Sequence, residues 1–272
     1  MSMSETVYSF SRLSTYHQCK YEYWLNYLAP EEQRLPNEDN AFNLYGSFCH
    51  GLLERWANGE LASFEMLPIY EDEFDVQVSE EFPPNNFADL RSTYYNDGWQ
   101  FFHDFEGFPD KYEIVSAEQE FTVEFDNFKL RGFIDLILRE KGTGNFVILD
   151  WKSKAKFKSK AEQKEYARQT YLYAKYINDT YGVWPEELVF FHFRKQIITE
   201  IPFKMADYLE AVHWAEKTVA EIEKTENWEV PYTETDAKGA SFFCNCLCGF
   251  RRNCQYAKKL REEYMDEHAG LE

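Results

Sequence analysis

No run of about eighteen apolar residues occurs anywhere in the 272-residue chain, so a membrane-spanning helix is not expected. Met1 to Arg12 lacks both the basic start and the apolar stretch of a secretory signal, and a cytoplasmic location without a membrane partner is the expectation. Internal repeats and low-complexity tracts are absent as well. Basic residues are scarce: 29 Lys and Arg face 48 Asp and Glu, a formal charge of −19, which argues against a nonspecific nucleic-acid binder that neutralises phosphates over its whole surface. The deficit is local, however. Between Trp56 and Asp110 there are thirteen acidic residues and one base, Arg91, so this segment carries −12 of the total. Residues 152 to 164, by contrast, hold Lys152, Lys154, Lys156, Lys158, Lys160 and Lys164, so a basic surface can exist on an acidic protein.

What is present is ample material for a core, 44% hydrophobic residues, without need of disulfide staples. Helical spacing runs from Ser11 to Leu28, with Ser11 as N-cap, and again from Gly46 to Ala57; after Pro83-Pro84 a further helix fits Phe87 to Phe105. From Tyr112 the period becomes two, giving strands around Phe121–Phe125, Leu130–Leu138 and Phe146–Trp151 joined by a Lys141–Gly144 turn. A helix from Lys160 to Asp179, strands at Leu188–Phe193 and Ile197–Phe203, and a helix from Met205 to Lys224 follow. The fold class expected is α/β in the mixed α+β sense: a mixed sheet flanked by helices, in a single domain of four sections. These are N-terminal helices (1–57), an acidic helical insertion (58–110), a sheet core (111–204) and a C-terminal helix with cysteines (205–272).

The stretch from Gly132 to Lys154 carries the chemistry. Asp135 lies on one strand of a hairpin, Asp150 and Lys152 on the other, and residues i and i+2 of a strand share a face. Two carboxylates and a backbone carbonyl suit a hard divalent ion, and a lysine beside them can orient water or stabilise developing charge; phosphodiester hydrolysis is the reaction these groups fit. Asp-x-Lys is common, and a solvated cross-strand pair would read alike. But both acids end apolar runs, Phe133-Ile134 and Val147-Ile148-Leu149, where an unpaired charge is costly.

Four thiols, Cys244, Cys246, Cys248 and Cys254, fall within eleven residues near the C-terminus, and Cys19 stands alone near the other end. In a reducing compartment such a group signals a metal site; thiolate count alone leaves structural Zn²⁺ and an iron–sulfur cluster equally open.

These elements together resemble the PD-(D/E)XK nucleases, particularly the RecB-like iron–sulfur group that includes CRISPR-associated adaptation exonucleases and the AddAB nuclease domains. The matching elements are His50 in GSFCHGLLE, Gly132 to Asp135, Asp150 with Lys152, and Gln169 with Tyr173 in RQTYLYAKY, in family order. The resemblance implies a restriction-endonuclease-like core in which His50, Asp135, Asp150 and the Trp151 carbonyl hold Mg²⁺ or Mn²⁺. Lys152 would then serve the attacking water, and Gln169 and Tyr173 would support substrate or Lys152. The family also places an acid on the preceding strand; Glu118, Glu120 and Glu124 compete, and the expectation settles on Glu120. It further implies a [4Fe–4S] cluster on Cys19, Cys244, Cys248 and Cys254, with Cys246 as rival to Cys244 and Zn²⁺ as rival to the cluster, while Cys49 is a packed thiol. The implied substrate is DNA, single-stranded or with free ends, met by Lys154, Lys156, Lys158, Lys160, Arg251 and Arg252 together with Lys258 and Lys259; RNA ranks below it. A protein partner in recombination, repair or CRISPR adaptation is also implied. The alternative is a catalytically silent nuclease-like module that binds a DNA-processing partner through its acidic insertion.

Overall fold

The computed structural model describes residues 6–232 and 242–268, with side chains described as far as Arg261; residues 1–5, 233–241 and 269–272 lie outside the described residues. At its centre is a mixed sheet of six strands: β1 (Val7–Tyr8), β2 (Tyr112–Glu124), β3 (Lys129–Glu140), β4 (Phe146–Lys152), β5 (Glu187–His192) and β6 (Ile197–Pro202). β2 runs antiparallel along the whole of β3. The opposite edge of β3 is shared: β1 pairs parallel with Lys129 and Leu130, and β4 pairs antiparallel from Leu136 onward. β5 then adds parallel to β4, and β6 antiparallel to β5.

β4 is the interior strand, and Phe146 to Trp151 are all buried, as a continuous apolar run covered on both faces requires. On one face pack α1 (Phe10–Gln18), α6 (Lys160–Tyr181) and α7 (Met205–Lys224), burying Ile148, Leu188 and Phe190 of the sheet with Leu13, Leu172 and Val219 of the helices. The other face, with Leu136, Leu149 and Trp151, is covered by α3 (Ala41–Ala57), α4 (Ser63–Gln77) and α5 (Leu90–Asp104). The acidic section 58–110 therefore does not stand apart. Met66, Tyr70, Phe74, Phe101 and Phe102 sit in the core while its charges face outward. The buried Arg194–Asp97 ion pair at 2.8 Å ties α5 to the turn after β5.

Two boundaries differ from the sequence expectation for physical reasons. The first helix is broken at Cys19, which is extended (φ −155°, ψ 110°), so that Lys20–Tyr27 forms a separate α2 whose Glu22 N–H donates to Cys19 Sγ; Ser9 rather than Ser11 caps α1. Residues 63–77 form a helix through Pro68, which lies in the second turn and so removes one intrahelical bond, that to the Phe64 carbonyl. The ends of the chain meet in a third, smaller core, where Leu25 packs with Phe243, Cys244, Cys248, Phe250 and Ala257; α8 (Gln255–His268) closes the described chain.

Candidate active site

The ladder between β3 and β4 extends only from Arg139↔Phe146 to Leu136↔Leu149. One residue further the strands part, and Asp135 and Asp150 stand at the opening. Asp135 Oδ2 accepts the Trp151 N–H at 2.8 Å, so a side-chain carboxylate replaces the missing ladder bond. On the other edge of β3 the register pairs Ala117 with Leu136 and Gln119 with Ile134 and skips Glu118, whose φ of +44° is left-handed. A non-glycine residue there costs about 1 kcal/mol or more, a cost that an exposed strand residue has no reason to bear. His50 reaches the same point from α3, its Nδ1 3.7 Å from Asp135 Oδ2. One donor atom each from His50, Glu118 and Asp135 lie within 4.8 Å of one another.

Burial dominates the electrostatics. It pushes Asp135 up to about 6 against the opposing pull of Lys152 and the Trp151 N–H, and Asp150 likewise to about 6. Glu118 is pushed up to about 7, by burial first and then by the Asp135, Glu54 and Asp150 charges. His50 is held down at about 4 by burial, which Asp150 offsets only in part, so its imidazole is neutral at pH 7 and has a ring nitrogen to offer. Burial works against the Lys152 charge too, but Asp150 and Asp135 outweigh it and its pKa rises. The sum is three carboxylates against one ammonium, a negative excess in a poorly solvated place. Carboxylate oxygens and one imidazole are the donor set of Mg²⁺ or Mn²⁺, and the residues fit such an ion.

Lys152 Nζ lies 2.6 Å from Asp150 Oδ2, a close ion pair in a buried place. Over this pair lies α6. Tyr173 packs directly on Gly132: a Cβ there would come 2.8 Å from the Tyr173 ring and 2.9 Å from Phe121, so only glycine lets the ring lie on β3. Gln169 Nε2 donates to Tyr173 Oη at 3.1 Å, and burial, with Asp150 and Asp135 nearby, raises the Tyr173 pKa.

A family model described as the PD-(D/E)XK nuclease superfamily matches residues 7–255. The chain belongs to the PD-(D/E)XK nuclease superfamily. Among solved structures it is similar to a candidate exonuclease from Eubacterium rectale, at 15% identity over 97% of this chain and 94% of that one, with a TM-score of 0.49. It is also similar to SSO0001, at 16% identity over 90% of this chain and 95% of that one, with a TM-score of 0.32. No curated protein sequence matches.

Within this nuclease-superfamily chain the structure brings His50, Asp135, Asp150, Trp151, Lys152, Gln169 and Tyr173 to one place. Two expectations are corrected. Glu120 is outside the cluster, exposed and paired with Arg131, and Glu118 occupies the position instead. Residues 118 and 120 share a face in a regular strand, so the period alone could not choose; the left-handed backbone at Glu118 did. Arg251 does not face solvent. It is buried and donates to the backbone carbonyls of Glu38 and Asp39 at 2.9 and 2.7 Å and to Glu80 at 3.1 Å, fastening the C-terminal turn to the loop before α3; Arg252 pairs with Glu38 and Glu80. Lys156, Lys158 and Lys160 are exposed, whereas Lys154 is half-buried against Glu162.

Cys19, Cys244, Cys248 and Cys254 line one cavity together with Glu22. Burial pushes Cys19 up to about 11 and Cys244 to about 12, and Cys248 higher still, with the neighbouring thiols adding to each. Such thiols ionise only for a shared positive centre, so the residues fit a thiolate-bound metal group. Cys246 lines a different hollow beside Arg251 and Arg252. Cys49 is buried against Tyr45. Among the described residues, no helix is long and apolar enough to cross a membrane.

Proposed function

We propose that this nuclease-superfamily protein is a RecB-like DNA nuclease of the cytoplasm that hydrolyses DNA ends or single strands. The observation that carries the reading is the meeting of His50, Glu118 and Asp135 donor atoms within 4.8 Å beside a lysine-paired Asp150. Mg²⁺ or Mn²⁺ bound there supplies charge against the scissile phosphate and makes water more acidic. Neutral His50 and the carboxylates of Glu118 and Asp135 hold the ion, with Asp150 and the Trp151 carbonyl next to them. Lys152 Nζ, aimed by Asp150, orients the attacking water or meets the charge that develops on the phosphate. The Trp151 N–H fixes Asp135, and Tyr173, seated on Gly132 and bonded to Gln169, closes the site on the α6 side and keeps bulk water from the ion pair. Lys156, Lys158 and Lys160 follow directly in the chain and meet phosphates, with Lys154 beside them.

We assign the four cysteines of the shared cavity to a structural [4Fe–4S] cluster that ties the two ends of one domain together. The shared cavity supports one common metal group, and the resemblance of Cys248 to Cys254 to the RecB-like iron–sulfur pattern favours the cluster over Zn²⁺. The exposed charge of section 58–110 then serves a protein partner or guards the DNA path.

The test is anaerobic purification with metal analysis and an absorbance spectrum, followed by cleavage of labelled single- and double-stranded DNA with Mg²⁺, Mn²⁺ or EDTA. About four irons and cleavage only with added divalent ion are expected. A colourless and inert protein would instead favour the silent interaction module.

A further inference from the structure

A groove of about 660 Å³ opens between α1, α6 and α7, on the face of the sheet that carries Asp150 and Lys152. Its walls carry Phe10 and His17 of α1, Tyr166 and Arg168 of α6, and Trp214 of α7. Trp214 is the centre of an aromatic platform: Phe10 lies 5.7 Å and His17 5.3 Å from it between ring centres, the latter tilted by only 33°. The Arg168 guanidinium carbon sits 5.3 Å from the Trp214 ring centre, and Arg168 Nε is buried with no hydrogen-bond partner among the described residues. A buried, unpaired guanidinium N–H is costly and asks for an acceptor.

Position points the same way, on a surface of mixed charge where Glu221 acts on His17 against Arg168, Lys217 and Lys20, and Glu165 also lines the groove. Tyr166 borders both the groove and the active site: Lys152 Nζ lies 5.2 Å and Lys154 Nζ 5.6 Å from its ring centre. One side chain therefore forms the wall between the groove and the lysine next to the reacting centre. Half-buried aromatic faces, a guanidinium Nε–H lacking an acceptor and Lys152 just across the Tyr166 ring are the parts of a site for unpaired nucleotides, whose bases offer open π-faces and whose phosphates offer acceptors; a duplex hides those faces.

We propose that this groove binds the unpaired strand that leads to or from the cut, with a base stacked on Trp214 and a phosphate on Arg168. The proposal rests on the nuclease reading for its place in the reaction, but the binding itself needs no cleavage.

The test is fluorescence anisotropy of labelled oligothymidylate, oligouridylate and a hairpin duplex with the full-length protein in EDTA, where no phosphodiester is cut. Trp214→Ala is expected to weaken oligothymidylate binding by about 5- to 100-fold. Trp214→Tyr, which keeps a ring and guards against a folding defect, should stay within about threefold of the parent on the same scale. Arg168→Gln should lower the slope of log affinity against log salt by about 0.7, the value for one single-strand phosphate. Phe64→Ala, on the exposed side of α4, should change nothing. Comparison of the two homopolymers identifies the strand as DNA or RNA. Unchanged binding by a folded Trp214→Ala protein, or an equal loss for duplex and single strand, would overturn the proposal, and cleavage by the parent protein would still leave the nuclease reading standing. Trp214-dependent binding by a protein that cuts nothing would support the groove and remove the nuclease.

Discussion

Replacing Asp135 by Asn removes one negative charge from the active site and keeps its shape. At pH 8 the parent carboxylate is ionised at a cost set by its raised pKa: from an ordinary 3.8 to about 6, at about 1.4 kcal/mol per pH unit, is about 3 kcal/mol. Asparagine avoids that cost but exchanges a charge-assisted acceptor for the Trp151 N–H for a neutral one, a loss of about 1 kcal/mol. The variant should therefore be more stable than the parent by about 2 kcal/mol in EDTA, seen as a rise in Tm of about 4–8 °C. The sign follows from linkage. Folded Asp135 holds its proton more tightly than the unfolded residue, so its contribution to stability is intact below about pH 4 and is lost as pH rises through about 6. The advantage of Asn should accordingly vanish by pH 4 and be full at pH 8. Scanning calorimetry from pH 4 to 8 in EDTA measures it. A divalent ion should then stabilise the parent and not the variant, and cleavage should fall by about a thousandfold or more. A variant less stable than the parent at pH 8, or one that still cuts with Mg²⁺ at the parent rate, would refute the assignment of Asp135 as a buried ligand.

Other consequences are as direct. Glu118→Gln should abolish divalent-ion stabilisation and cleavage while Glu120→Gln, which breaks only a surface pair with Arg131, leaves both near the parent level; the reverse order in a cleavage assay would restore the sequence expectation. Serine at Cys19, Cys244, Cys248 or Cys254 should remove the bound iron and its absorbance, and Cys246→Ser should retain them, because Cys246 lines a different hollow. Asp97→Ala leaves buried Arg194 without its carboxylate, and a denaturant titration should show a loss of about 3–5 kcal/mol. Gly132→Ala drives a methyl into the Tyr173 and Phe121 rings; about 1–3 kcal/mol of stability should go, with cleavage falling as Tyr173 shifts.

Most of the sheet was legible because its signals are local. The alternation of β3, the unbroken apolar run of β4 and the full span of α7 follow from side-chain periods that any chain of this composition must satisfy to bury its apolar surface. The helix break at Cys19 was not legible, since the residues on both sides have helical spacing and the break depends on how the ends of the chain meet. Neither was the role of section 58–110. Its charge count suggested an appendage, but charge lies on the outward side of α4 and α5, and only packing reveals Phe74, Phe101 and Phe102 against the sheet.

The sequence by itself determined the chemistry available at the site: Asp150 and Lys152 share a face because the strand period is two, and a hairpin can bring Asp135 beside them. It also determined that glycine stands at 132. Tertiary structure decided which further groups join them. His50 comes from a helix on one face of the sheet and Tyr173 from a helix on the other, and they meet only where β3 and β4 part. Glu118 rather than Glu120 completes the cluster because the backbone turns left-handed at one residue, and Arg251 is a clasp rather than a phosphate contact because the chain's end folds back over Glu38 and Asp39. Spacing fixes direction only within an element; between elements, burial and packing decide which directions converge.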